Sequence, residues 1–210
     1  MHREDYLTPS FIESMRKRYF RPRKLEWINP KGIAVLGIDL QRYFLERDKK
    51  AYLPSAPRLI QRLRDFYSFA KGLEIPIIMT RHCHGGDIME GWWGDTMPCN
   101  HDTEIINEMR EYGDEIVEKR TYDAFYRTDL ENILREKNVN TVIITGVMTH
   151  LCCETSARSA FVHGLYVIFP IDGTVTQNSE LHEGTIRAIS HGFAPVPTLE
   201  EVKSWLKRWE

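Results

Sequence analysis

Two hydrophobic patterns alternate along the chain. Short, largely apolar stretches occupy residues 33–38, 75–80, 141–145 and 165–169, with a shorter apolar pair flanked by glutamates in 115–118 and a weaker stretch at 193–196. Between them, apolar residues recur at three- and four-residue steps over 56–72, 102–112, 128–137, 151–163 and 179–191, and a last such segment covers 198–209. An apolar run without alternation suits a strand buried on both faces, whereas the three-to-four step is one face of a helix. In 56–72, Leu59, Ile60, Leu63, Phe66, Phe69 and Ala70 mark the buried face, with Arg58, Gln61, Arg62, Arg64 and Asp65 between them. Gly72 ends that helix at the usual capping position. Strands alternating with helices predict an α/β fold in three layers, with a six-stranded parallel sheet covered on both faces.

The first thirty residues stand apart. Phe11, Ile12, Met15, Tyr19 and Phe20 fall at near-helical spacing among Arg and Lys, and Arg21-Pro22-Arg23 follows. Residues 1–30 therefore read as a basic amphipathic arm and linker, packed on the domain or on a neighbouring subunit, and residues 31–210 as a single domain.

Composition narrows the function. The 210 residues are 42% hydrophobic, enough for one well-buried core. A formal charge of -2, with no dense basic run outside the arm, argues against a nucleic-acid partner. No membrane-length apolar stretch is present, and the first ten residues lack the apolar core of a signal peptide, so a cytoplasmic protein is expected. Cys83, Cys99, Cys152 and Cys153 show no C-x-x-C spacing; a disulfide framework is not expected, nor is a vicinal bridge between Cys152 and Cys153.

The chemistry gathers at strand ends, where ligands of open parallel sheets bind. Asp39 follows the first strand, Arg81 and His82 the second, Lys119 and Arg120 the third, and Asp172 the fifth. The fourth runs into a turn, Val147-Met148-Thr149-His150, and then a helical pattern containing Cys152. A thiol in the first helical turn faces unpaired N–H groups and the positive end of the dipole, which favours thiolate. Cys152 would attack a carbonyl carbon, Asp39 would take the thiol proton and return it to the leaving nitrogen, and Lys119 would hold the carboxylate. Backbone N–H groups of Met148 and Cys152 are the candidate oxyanion donors. A structural salt bridge between Asp39 and Lys119 is the plainer alternative.

Three blocks of these residues resemble the isochorismatase-like cysteine hydrolase family, from about Lys31 onward. Asp39-Leu40-Gln41-Arg42-Tyr43-Phe44 is similar to its D-x-Q block; the run from Lys119 to Leu130 is similar to its K-x-x-x-S-A-F block, with Asp123 for serine. Gly146 to Arg158 is similar to the G-V-x-T-x-x-C-x-x-x-T-A-R block, with Ser156 for threonine and Cys152 at the nucleophile position. The resemblance implies a Rossmann-like fold with strand order 3-2-1-4-5-6, a cis peptide at Val147–Met148, the triad Asp39, Lys119 and Cys152, and a homodimer or homotetramer. Members with cysteine at this position hydrolyse C–N bonds; members cleaving the isochorismate vinyl ether carry a small residue there and use aspartate as an acid. Nicotinamidases of the family hold zinc through an Asp-x-His pair and a distant histidine, to which His82, His84 and His101 are partly similar; no metal or other cofactor is expected here.

The expected activity is hydrolysis of a small amide or ureido compound through a thioester. The alternatives are an aspartate-driven vinyl-ether hydrolase and a non-enzymatic redox or interaction protein using the Cys152-Cys153 pair. Candidate substrate contacts are Gln41, Phe44, Arg81, Trp93, Tyr122 and Phe125, with Arg81 suited to a carboxylate. The long loop 85–100, rich in Gly and carrying Trp92 and Trp93, is expected to be a lid or a subunit contact.

Overall fold

The computed structural model describes residues 5–28 and 31–209. Met1 to Glu4, Asn29, Pro30 and Glu210, which the sequence assigns to the arm, the linker and the terminus, lie outside the described residues. In chain order the elements are α1 (Pro9–Tyr19), α2 (Pro22–Glu26), β1 (Ile33–Ile38), α3 (Arg42–Leu45), α4 (Ala56–Gly72), β2 (Ile77–His82), α5 (Ile88–Trp93) and α6 (Asn107–Arg110). Then follow β3 (Glu115–Lys119), α7 (Leu130–Glu136), β4 (Thr141–Val147), α8 (Glu154–Val162), β5 (Tyr166–Ile168), β6 (Thr174–Val175), α9 (Ser179–Gly192) and α10 (Leu199–Leu206).

The sheet is parallel and six-stranded, in the order β3-β2-β1-β4-β5, with β6 bonded to β4. Every residue of β1 and β4 is buried, as their unbroken apolar runs require. The sixth strand is not at 193–196. Pro195 and Pro197 cannot donate to a ladder, so these two residues only accept from the neighbouring segment: Phe169 N–H reaches Pro195 O at 3.0 Å and Ile171 N–H reaches Pro197 O at 2.8 Å. The helix expected over 102–112 is interrupted, because Ile105 is extended and bridges Gln41; a turn at His101–Thr103 and the short α6 replace it.

Helices flank the sheet: α4 packs with α6 and α10, while α8 packs with α9. The arm belongs to this core. α1 lies on α9, and Leu7, Ile12 and Met15 join the buried cluster. Thr8 caps α1 by accepting from Phe11 N–H, and Tyr6 OH accepts from Thr176 N–H at 2.7 Å.

Two backbone features set up the rim. Gly146 has φ 114°, and a Cβ there would meet Ile38 O at 2.1 Å, so only glycine lets β4 pass β1 at this point. The next peptide, Val147–Met148, is cis. Asp39 ends β1 at φ 47°, a left-handed conformation that aspartate tolerates better than most residues.

Candidate active site

β1, β3 and the turn after β4 bring three groups together. Lys119 Nζ lies 2.8 Å from Asp39 Oδ2, both side chains fully buried. The Cys152 thiol is within hydrogen-bonding reach of both. Thr80, on β2, donates its hydroxyl to Asp39 Oδ1 at 2.6 Å and accepts from Asp39 N–H at 3.1 Å, so the carboxylate is held from its neighbouring strand. Lys119 Nζ also donates to Thr121 O at 2.9 Å. Asp39 Oδ2 has the ion contact but no aligned hydrogen bond, leaving a lone pair for the thiol proton.

Electrostatics correct one expectation. Burial pushes the Cys152 thiol up to about 12; Lys119 opposes the shift and Asp39 adds to it. The resting group is the thiol, not the thiolate expected from its place before a helix, because desolvation outweighs the dipole. Cys152 sits in a wide turn, Thr149–Cys153, in which Cys153 N–H bonds Met148 O at 3.2 Å, and α8 begins only after it. Burial also disfavours the charged Lys119, but the Asp39 carboxylate and the Cys152 sulfur outweigh it and raise the ammonium's pKa. Asp39 and Lys119 thus form an ion pair beneath a neutral thiol.

Above the sulfur lies a cavity of about 210 Å³, large enough for a small planar molecule. Its apolar walls include Phe44, Trp93 and Tyr122, as expected, together with Tyr43, Met97 and Leu151. Trp93 Nε1 donates to Tyr122 OH at 2.9 Å, joining the 85–100 loop to the β3 side. Lys50 and Asp95 pair at the rim. Of the other wall residues, Met89, Asp95, Thr96 and Met97 come from the 85–100 loop, whereas nothing local in the sequence marks Lys50 and Gln177.

Three expected substrate contacts do not reach the cavity. Gln41 is spent inside the frame: Nε2 donates to His82 O and Thr103 O, and Oε1 accepts from His82 N–H. Arg81 donates to Asn100 O, Thr103 O and the Thr103 hydroxyl on the opposite side of β2. Phe125 stacks on His163 with ring centroids 5.0 Å apart. Asp172 also serves structure, accepting from Leu199 N–H at the start of α10 at 2.8 Å.

The histidines and cysteines rearrange as well. His82 Nε2 faces His84 Nδ1 at 2.9 Å, and His84 Nε2 lies 3.1 Å from Asp95 O. His101 is exposed and pairs with Glu104, so the three histidines do not gather around one point, and this donor set does not fit a zinc ion. Cys83 and Cys99 form a disulfide, contrary to the expectation of free thiols, while Cys152 and Cys153 are free. The 85–100 loop folds back so that His84 and Met97 pair in both directions, at 2.8 and 2.9 Å, and the Cα atoms of Cys83 and Cys99 lie 5.3 Å apart.

A parallel sheet with a buried acid, lysine and thiol at its carboxyl rim defines a class of small-molecule hydrolase, and the chain belongs to the isochorismatase family: the Isochorismatase domain model matches residues 33–201. The chain is 36% identical over 194 residues to Nicotinamidase 3 of Arabidopsis thaliana, covering 87% of this chain and 92% of that protein. Among solved structures it is similar to a cysteine hydrolase from Pseudomonas syringae pv. phaseolicola 1448A, with a TM-score of 0.82 and 25% identity over 87% of this chain and 96% of that one. N-carbamoylsarcosine amidase from Thermoplasma acidophilum shares the fold, with a TM-score of 0.71 and 22% identity over 80% and 96%. No helix among the described residues is long and apolar enough to cross a membrane.

Proposed function

We propose that this isochorismatase-family hydrolase is a cysteine amidohydrolase cleaving the C–N bond of a small amide or ureido compound. The observation that carries the reading is the buried Asp39–Lys119 pair beneath the Cys152 thiol, at the floor of a mostly apolar cavity. The nicotinamidase relative at 36% identity supports the choice of amide over vinyl ether.

Burial holds the Cys152 sulfur as the thiol at neutral pH. Proton transfer must therefore accompany attack. As the sulfur bonds to the carbonyl carbon, the thiol proton moves to Asp39 Oδ2 and the carbonyl π pair moves to oxygen. The N–H groups of Met148 and Cys152 are the proposed donors to that oxyanion. Collapse breaks the C–N bond, and the leaving nitrogen takes the proton from Asp39. Water then adds to the thioester while Asp39 accepts its proton; the second collapse breaks the C–S bond, and the sulfur recovers the proton. Lys119 Nζ, 2.8 Å from Asp39 Oδ2, holds the carboxyl group in place through both half-reactions.

Ammonia release from a panel of primary amides and ureido acids, nicotinamide included, tests the reading. Loss of at least 10³-fold in Cys152→Ala, with a thioester adduct on Cys152 by mass spectrometry, is expected. Full amidase activity in Cys152→Ala refutes it. The working unit under this reading is a homodimer or homotetramer, which sedimentation of the purified chain checks.

A further inference from the structure

The arm's basic residues take no part in the proposed chemistry, yet the fold collects two of them in one place. Arg18 and Arg21, at the end of α1 and just beyond it, line a surface groove of about 670 Å³. Arg158 of α8 and Arg187 and His191 of α9 line it from the other side of the chain. Four of its eleven lining residues are arginine and none is acidic, in a chain whose formal charge is -2. The groove shares no lining residue with the Cys152 cavity.

Two of the four guanidinium groups are neutralised by glutamates that do not line the groove. Arg18 Nη1 donates to Glu183 Oε1 at 2.6 Å, and Tyr19 OH donates to the same oxygen at 2.9 Å. Arg158 donates through Nε and Nη2 to Glu154 Oε1, at 3.0 and 2.7 Å, and lies over the Phe193 ring, 4.3 Å from its centroid. Those contacts fix the Arg158 plane and leave Nη1 unbonded among the described residues. Arg21 and Arg187 are exposed and have no ion pair with any described residue. They bring two uncompensated positive charges to one hollow. The carbonyl end of α9 carries only about half a negative charge, which offsets part of that excess.

We propose that this groove is a binding site for a phosphate-bearing small molecule, whose phosphomonoester or diphosphate group is held by Arg187 of α9 and Arg21 of the arm. The donors belong to three separate segments of the chain, so an anion with oxygens on several sides suits them. A carboxylate presents two oxygens in one plane, whereas a phosphate presents three around a tetrahedron and can take a guanidinium fork on more than one edge. Arg158 Nη1 is a third donor, and because its plane is already fixed, little rotamer freedom is lost in recruiting it. The arm lies outside the matched family segment, residues 33–201, so half of this site is built from chain that the family domain does not include. The proposal is independent of the amidohydrolase reading.

Isothermal titration calorimetry of the full chain with inorganic pyrophosphate tests the site. Wild type should bind saturably, with a Kd below about 1 mM. Arg187→Gln and Arg21→Gln should each weaken binding by about 10- to 100-fold, the loss expected for a charge-assisted hydrogen bond. Arg187→Lys, which keeps the charge and loses the fork, should recover part of the affinity. Arg64→Gln, at an exposed arginine that does not line the groove, should stay within about twofold of wild type. Tricarballylate, a carboxylate anion of similar charge, should bind at least about tenfold more weakly than pyrophosphate at equal ionic strength. No saturable binding below about 1 mM overturns the proposal. So does pyrophosphate binding that Arg187→Gln and Arg21→Gln leave unchanged, or that Arg64→Gln weakens equally, and so does an equal affinity for tricarballylate. Because the readout is binding, none of these results bears on ammonia release, and a failed amidase assay leaves the titration intact.

Discussion

Breaking the Asp39–Lys119 pair from one side should be far worse for folding than removing both charges. The two groups sit 2.8 Å apart with no solvent exposure of either side chain. Lys119→Met leaves a buried carboxylate with the Thr80 hydroxyl as its hydrogen-bond donor, and Asp39→Asn leaves a buried ammonium on Thr121 O. Each single change should cost about 3–5 kcal/mol, because the surviving charge has lost the partner that offset its desolvation. For a chain of this size that is a fall in Tm of about 6–20 °C. The double variant carries no buried charge and should lose no more than about 3 kcal/mol, giving a coupling of about 3 kcal/mol or more. Asparagine is the replacement at 39 because the φ of 47° there would strain most other side chains. Urea unfolding of all four proteins measures the cycle, and ammonia release should vanish in all three variants. Single variants within about 1 kcal/mol of wild type, with additive effects, would refute the buried ion pair and the catalytic base it supports.

Two further outcomes are expected. Reducing the Cys83–Cys99 bridge, which spans 16 residues, should lower stability by about 3 kcal/mol from loop entropy; urea unfolding with and without dithiothreitol, repeated on Cys99→Ser, would show no difference if the bridge does not form. Burial raises the Asp172 carboxyl to about 6, against about 3.9 unfolded, so the native state holds the extra proton between those values. Stability should therefore decline by about 3 kcal/mol relative to Asp172→Asn as pH rises from about 4 to 6, and parallel stability–pH curves for the two proteins would contradict it.

The sequence was most informative where side-chain chemistry met a strand end. Asp39, Lys119 and Cys152 follow apolar runs, and a parallel sheet delivers all such ends to one rim. The errors came where orientation decides. On β2, Thr80 and His82 share one face and reach the site, so alternation alone turns Arg81 away from it. Gln41 and Phe125 belong to matching motifs, yet their partners, the His82 backbone and His163, are set by tertiary packing. The Cys83–Cys99 bridge depends on a loop reversal that no local pattern announces. Helix position along the chain points to a dipole that favours thiolate, whereas the burial that favours the thiol arises only from tertiary packing.

The arm lies outside the matched family segment, yet it touches the nucleophile's surroundings in two steps. Tyr6 OH takes the Thr176 N–H, and the Thr176 hydroxyl meets His150 Nδ1 at 2.6 Å, two residues before Cys152. A purification tag or fusion joined ahead of Tyr6 is thus not a neutral handle. Anything that tugs that tyrosine loose shifts the ground under the sulfur, and turnover numbers taken from such a protein would describe the attachment as much as the enzyme.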